Sequence, residues 1–361
     1  MSQKKLKIAE VAPLMVEIPP ERYGGIESIV NDLSQGLSDM GHKVTVFGAG
    51  GSKITGKNIQ LVPCAPFPTT RDLSKNREYE LSELYTVIDR QHDFDLIHFH
   101  YEPLIGRTLE NGKETNLFSK IVVPKVHTFH NTTYIDANIE YYRSHQDMLN
   151  AKYVFISKDH RAPLSFLDNS TVIYNGIHLE YLTYNDVSEN YLLFAGRLTK
   201  VKGVIEAIKV AKIVGKKLII FGKVDSTDIG FYEKEVKPLI DGKQIVYLGE
   251  VSTEEKYNYY RNAKCLLFPI SWHEPFGLVL VEAMACGTPV IGFNVGSVSE
   301  IIENGKTGYV VSTVQEMAQK VNDIQKIKRK DCREKVERMF TTEIMVDEYE
   351  KLYMECAGNG N

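Results

Sequence analysis

Residues 191–221 read YLLFAGRLTKVKGVIEAIKVAKIVGKKLIIF, and this stretch decides the fold. Tyr191 to Ala195 is a short apolar run of strand length, Val204 to Val214 has helical spacing and is closed by Gly215, and Lys217 to Phe221 is a second apolar run. Strand, loop, helix and strand in that order make the βαβ unit of a parallel sheet. The pattern continues toward the C-terminus. Strands are predicted at Ile245 to Leu248, Cys265 to Pro269 and Pro289 to Phe293, with helices near Glu254 to Ala263 and over Leu278 to Cys286. From Gln315 onward the tail is mainly helical.

On the N-terminal side the same alternation occurs once more. Lys7 to Leu14 reads as a buried strand, Ile26, Ile29, Val30, Leu33 and Leu37 recur at helical spacing until Gly41, and Lys43 to Phe47 is the next strand. Asp95 to His100, Ile121 to Phe129, Tyr153 to Ser157 and Thr171 to Tyr174 follow as strands, with an acidic helix near Glu78 to Arg90. At 361 residues, 43% of them hydrophobic, the chain suits two domains of about 150 to 180 residues each. The fold class is α/β, with two Rossmann-like, doubly wound domains, the first over 1–184 and the second over 185–340. The polar stretch Tyr184 to Asn190 is the expected connection. A helix over 341–361 is expected to pack back on the first domain. Ligands of such sheets bind beyond the carboxyl ends of the strands, so two facing sheets predict a crevice between the domains.

A net charge of −4 and a pI near 6.2 give no long-range attraction to polyanions, which argues against nucleic acid as a partner. The 5 cysteines are odd in number and form no C-x-x-C pair, against a disulfide framework or a thiolate metal site. Glu10 and Glu17 interrupt the N-terminal apolar run, so it reads as a strand rather than a signal peptide. No apolar stretch is long enough to span a bilayer, and Arg71 to Arg90 lacks a basic amphipathic face. A cytoplasmic protein without a strong membrane signal is expected.

Three loops after predicted strands carry chemistry. Tyr23-Gly24-Gly25 precedes the helix that begins near Ile26, where backbone amides and the helix dipole favour an anion; the glycines would serve equally to turn the chain. Gly196-Arg197 and Lys202-Gly203 flank a second strand-to-helix loop. Cations there oppose the helix dipole, a cost that points to an anionic ligand, and an Arg fork with a Lys point charge suits a diphosphate; solvated surface cations are the alternative. In Trp272-His273-Glu274-Pro275-Phe276-Gly277-Leu278, Pro275 and Gly277 hold Glu274 outside the helix that carries Glu282. The two carboxylates can accept hydrogen bonds from sugar and ribose hydroxyls while amides near Gly277 and Leu278 face phosphate.

These residues resemble glycosyltransferase family 4, whose members are retaining enzymes of the GT-B fold. Glu274 and Glu282 are spaced as in that family's E-x7-E motif. Gly24-Gly25-Ile26-Glu27, Tyr174-Asn175-Gly176, Gly196-Arg197 with Lys202-Gly203, Gly296-Ser297 and Thr307-Gly308 are similar to its other markers, in the usual order. Pro19-Pro20 and Lys223-Val224-Asp225 look like a branch of small soluble enzymes acting on small-molecule acceptors. The resemblance implies that Arg197 and Lys202 hold the donor diphosphate, Glu282 the ribose, and Glu274 with the amides of Phe276, Gly277 and Leu278 the transferred sugar. Gly24 and Gly25 would approach the phosphates. His130, in Thr128-Phe129-His130, matches the family histidine near the anomeric centre, although a lone histidine after a strand is by itself more often a structural hydrogen-bonding residue, and His100 and Tyr134 are candidate acceptor contacts. His130, Glu274, Arg197 and Lys202 would thus be catalytic, the donor a nucleotide-diphosphate sugar such as a UDP-hexose, and no cofactor or metal would be required. The acceptor, a small molecule or a glycan, is not identified.

Rival readings rest on less. Asp93-Phe94-Asp95 has the letters of a metal-binding Asp-x-Asp, but it precedes its strand and so belongs at the end away from the crevice. His98 and His100 alternate on one strand face, which permits a metal, but no third ligand is identifiable and acceptor contact or packing serves as well. A nucleotide-sugar epimerase would need the same diphosphate grip. A non-catalytic sugar-nucleotide-binding protein would bind donor and release no nucleotide.

Overall fold

The computed structural model describes residues 4–358 apart from 22–23, 67–72, 133–134, 136–137 and 146–149. The chain divides into two compact units, Met1–Gly176 with Thr342–Asn361, and Ile177–Thr341.

In the first unit the strands are β1 (Lys7–Val11), β2 (Lys43–Ala49), β3 (Ile59–Ala65), β4 (Leu96–Phe99), a two-stranded hairpin of β5 (Arg107–Glu110) and β6 (Lys113–Asn116), β7 (Lys125–Phe129), β8 (Lys152–Phe155) and β9 (Ser170–Val172). All but the hairpin form one parallel sheet in the order β3-β2-β1-β4-β7-β8-β9. Alternation along each strand separates two cores. Ile8, Val44, Val46, Leu96, Val126 and Val154 face the helices Gly25–Asp39 and Thr342–Gly358, which bring Leu33, Leu37, Met345, Val346, Tyr349 and Tyr353. Ala9, Val11, Phe47, Ile97, Phe99 and Phe129 face the other way, onto a cluster that includes Leu84 and Val87 of the helix Leu73–Arg90.

The second unit holds β10 (Tyr191–Ala195), β11 (Lys217–Phe221), β12 (Ile245–Tyr247), β13 (Cys265–Phe268), β14 (Val290–Phe293) and β15 (Gly308–Val311). They form a parallel sheet in the order β12-β11-β10-β13-β14-β15. In both sheets the chain winds outward from a central strand and then restarts on its other side. The switch points lie between β1 and β4 and between β10 and β13, where crevices open at the carboxyl ends of doubly wound sheets.

Four strands escape the apolar-run reading. β3 is an edge strand whose residues are only partly covered and which contains Pro63, so it has no continuous apolar core to signal it. The β5–β6 hairpin is polar and mostly exposed, and β15 is short and starts at Gly308. The strand expected from Ile121 begins at Lys125 instead: the apolar residues ahead of it lead to Pro124, after which pairing to β4 starts.

Candidate functional site

In the second unit, the chain leaves β10 through Gly196 and Arg197 and makes one tight turn, Lys200–Lys202, before the helix Val204–Val214. Gly203 caps that helix at φ +78°, and a Cβ there would sit 1.9 Å from the carbonyl oxygen of Pro269, just past β13. Only a glycine lets the turn close against the neighbouring strand end. This packing puts Lys202 beside the loop after β13. Its Nζ lies 2.5 Å from Glu274 Oε2, and the same oxygen accepts the indole N–H of Trp272 at 3.1 Å. Lys202 Nζ also lies 4.7 Å from the centre of the Trp272 ring, a cation–π contact. The Lys202 and Glu274 side chains are 15% and 14% exposed, so the pair is largely shielded from water.

The loop that offers Glu274 is braced from behind. Gly296, at φ +62°, approaches so closely that a Cβ would lie 2.5 Å from Glu274 N. Ser297 N donates to Glu274 O at 3.0 Å and Ser297 Oγ donates to Phe276 O at 2.7 Å. Phe276 is buried, and Gly277, at φ +87°, caps the helix Leu278–Ala285, with its carbonyl accepting from Leu280 N at 2.9 Å. Glu282, in the second turn of that helix, is held by Lys256 Nζ at 2.8 Å. Burial works against the Lys256 charge, but Glu282 beside it holds the lysine pKa above its ordinary value. Arg197 donates to Asp225 Oδ2 at 3.3 Å, and Lys223 Nζ approaches the other oxygen at 3.0 Å. Hydrogen bonds from Lys223 and Arg197 outweigh the opposing effect of burial and keep Asp225 ionised.

The structure thus gathers Lys202, Glu274 and Trp272 at one point, sets Glu282 on the adjoining helix, and gives each carboxylate a lysine. Trp272, Lys256 and Asp225 were not assigned contacts from the sequence. Lys256 in particular is one cation among many on a polar helix, and nothing in its sequence setting marks it.

In the first unit, Gly24 caps the helix Gly25–Asp39. Glu27 in its first turn is buried, and burial, with the negative Glu17 nearby, pushes its carboxyl up to about 7. The second group of candidates sits at the β1–β4 switch point. Glu10 pairs in register with His98, and His98 with Val126, so Glu10, His98, His100, Thr128 and His130 line up on the face that meets the C-terminal helix. His100 Nε2 lies 2.7 Å from Glu10 Oε2 and its Nδ1 lies 3.3 Å from His130 Nε2. Tyr353 OH donates to Glu10 Oε1 at 3.0 Å and lies 2.5 Å from His98 Nδ1. His98 Nε2 meets Thr128 Oγ1 at 2.7 Å, and Thr128 Oγ1 meets Tyr349 OH at 2.9 Å. Burial raises the proton affinity of Glu10, but the charge of His98 and hydrogen bonds from both histidines win and hold it at about 2. Burial lowers His100 to about 4 and His130 well below the usual imidazole range.

Ligand atoms of Glu10, His98 and His100 lie within 4.8 Å of one another, so Glu10 supplies the third group that the two histidines lacked in the sequence. In this structure the same atoms are engaged in hydrogen bonds among themselves and to Tyr353. The signal for Glu10 was an acidic residue inside an apolar strand. Tyr23 and Tyr134 lie outside the described residues. Tyr142 is buried in the core, while Tyr141 accepts a hydrogen bond from Asn116 and lies under Arg107. Asp93 pairs with Arg90, and Asp95 accepts from Lys7 N at the amino end of β4, opposite the end that carries His100.

Residues 23–181 match the family model Glycosyltransferase Family 4, and residues 184–339 match Glycosyl transferases group 1. An uncharacterized glycosyltransferase of Methanocaldococcus jannaschii is 28% identical over 83% of this chain and 84% of its own. Sucrose-phosphate synthase of Thermosynechococcus elongatus superposes with a TM-score of 0.80 at 19% identity, over 98% of this chain and 100% of that one. Anabaena HepE, in complex with UDP and glucose, gives 0.71 at 17% identity over 96% and 99%. Among the described residues, no helix is long and apolar enough to cross a membrane.

Proposed function

The chain is a glycosyltransferase of the family 4 type with the GT-B fold, and from that premise we propose that it moves a hexose from a UDP-sugar to an acceptor hydroxyl with retention of anomeric configuration. The observation that carries the donor assignment is the meeting of Lys202 with Glu274 and Trp272 at the carboxyl end of the β10–β13 switch point.

Lys202 and Arg197 neutralise the charge that grows on the leaving diphosphate, helped by the amides of Phe276, Gly277 and Leu278 at a helix start. Glu274 accepts hydrogen bonds from the transferred sugar and Glu282 from the ribose. Each is ion-paired in this structure, so donor binding exchanges a lysine partner for, or adds to it, a hydroxyl. Gly24 and Gly25 approach the phosphates, and His130 serves the reacting centre with Tyr134 on the acceptor side; His100, expected beside Tyr134, instead has both ring nitrogens engaged by Glu10 and His130 and stands behind His130. The leaving phosphate takes the acceptor's proton. In this reading cations and helix amides do the work of a metal, the enzyme acts in the cytoplasm, and the HepE complex supports UDP as the nucleotide.

A nucleotide-release assay across UDP-glucose, UDP-galactose, UDP-N-acetylglucosamine and GDP-mannose tests the proposal without an acceptor in hand. Slow release of UDP from one UDP-sugar is expected. Release from GDP-mannose alone would overturn the nucleotide assignment, and isomerised nucleotide-sugar without release would favour an epimerase.

A further inference from the structure

With Glu10 ionised, the buried chain from Glu10 through His100 to His130 has only one consistent order of protons. We propose that Glu10 is a positioning residue which, through His100, fixes His130 as the Nε2–H tautomer and leaves its Nδ1 as an acceptor for a substrate hydroxyl. This rests on the reading that His130 faces the reacting groups.

An ionised carboxylate is acceptor-only. Oε1 of Glu10 takes the Tyr353 hydroxyl proton at 3.0 Å, and Oε2 lies 2.7 Å from His100 Nε2, which must therefore carry hydrogen. A neutral imidazole then has a bare Nδ1. His130 Nε2, 3.3 Å from that lone pair, must donate, since two bare nitrogens would face each other in a dry site. What remains on His130 is a bare Nδ1. It has no partner among the described residues, and it is not among the polar atoms sealed from water without one, as His127 Nε2 and His160 Nδ1 are.

The far side of Glu10 leaves this order untouched. Tyr353, His98, Thr128 and Tyr349 form a relay whose protons can run in either direction, and in both Glu10 Oε2 accepts from His100. Glu10, His98 and His100 are all buried to 1% exposure or less, so no solvent rearranges the order. A carboxylate in the middle of an apolar strand is costly to desolvate, and a hydrocarbon there would fill the space without ordering the histidines.

Long-range 1H–15N NMR of histidine-labelled protein at neutral pH reads the tautomers, with His130→Gln assigning the signal. The wild-type protein is expected to show His130 as Nε2–H, a result that depends on no variant folding. Glu10→Gln is expected to scramble that tautomer and to lower transfer kcat by about tenfold or more, as a histidine in the wrong tautomer does elsewhere. Donor KM and UDP affinity should stay within about twofold, which distinguishes positioning from general loss of structure. His130 as Nδ1–H in the wild type would overturn the proposal, as would unchanged tautomer and kcat in a folded Glu10→Gln protein. Wild-type transfer by His130→Gln would instead overturn the reading beneath it, because a tautomer fixed on a dispensable histidine serves no reaction.

Discussion

Lys202 Nζ and Glu274 Oε2, 72 residues apart in sequence, meet at 2.5 Å with both side chains largely shut from water. One residue enters from the loop after β10 and the other from the loop after β13, so the pair marks the switch point of the second sheet. Such a pair holds a cation and a carboxylate in register before any ligand arrives. It also makes both residues sensitive to loss of either.

Arg197→Ala and Lys202→Ala should each lower donor use about ten- to a hundredfold, because a charge-assisted contact to phosphate contributes about 1.5 to 3 kcal/mol. Lys202→Ala should have the larger effect, since it also leaves the Glu274 carboxylate with Trp272 as its remaining side-chain partner among the described residues. UDP release from the cognate UDP-sugar, measured on proteins with wild-type circular dichroism, checks this. Wild-type release in both variants would remove the diphosphate assignment.

Gly203→Ala should damage the site without touching a charge. The added Cβ would stand 1.9 Å from the Pro269 carbonyl in a left-handed backbone conformation, and the turn carrying Lys202 must shift to admit it. A loss of about 1 to 3 kcal/mol in chemical denaturation and a fall in donor use are expected together. A variant as stable as the wild type would show that the turn adapts.

The second unit was legible because its strands are apolar runs separated by glycine-closed helices, and Tyr191–Ala195, Val204–Val214 and Lys217–Phe221 stand where the pattern put them. The edge strand Ile59–Ala65 was not, since a half-covered strand containing proline resembles a loop in composition. At the candidate site, residues flanked by glycine or proline could be singled out: Arg197, Lys202 and Glu274 stand in turns whose backbone demands those neighbours. Their partners Lys256 and Asp225 come from other elements, and only the folded sheet brings them near. Glu10 lay between the two cases. Its charge was conspicuous in an apolar strand, but its meaning depends on His98 across the β1–β4 register and on Tyr353 from the C-terminal helix.

Glu27 gives a stability test with a defined sign. Its folded pKa is raised from 4.5 to about 7, so the folded protein binds more protons than the unfolded chain between those values. The favourable contribution is fully present below about 4.5 and is lost as pH rises through 7. Glu27→Gln, which cannot ionise, should match the wild type near pH 4.5 and exceed it above pH 7, by up to about 3 kcal/mol. Denaturation midpoints across that range read the difference, and a pH-independent gap would refute the assignment.

Chelation tests the metal-free reading. With Arg197, Lys202 and helix amides neutralising the leaving group, EDTA should leave transfer within about twofold, or ~0.4 kcal/mol in barrier. Abolition of turnover that Mg²⁺ or Mn²⁺ restores would instead assign a cation to the enzyme, and metal analysis of Glu10→Gln would show whether the Glu10, His98 and His100 group holds it.

Calorimetric titration of Glu282→Gln and Glu274→Gln, with UDP and with a non-reactive UDP-sugar analogue, tests the donor-site account most directly. Ribose is present in both ligands and the sugar in only one. Glu282→Gln should therefore weaken both by about 1.5 to 3 kcal/mol, while Glu274→Gln should weaken only the analogue and leave UDP affinity nearly intact. Equal loss of UDP affinity in the two variants, or no loss in either, would contradict the division of the donor between these two glutamates.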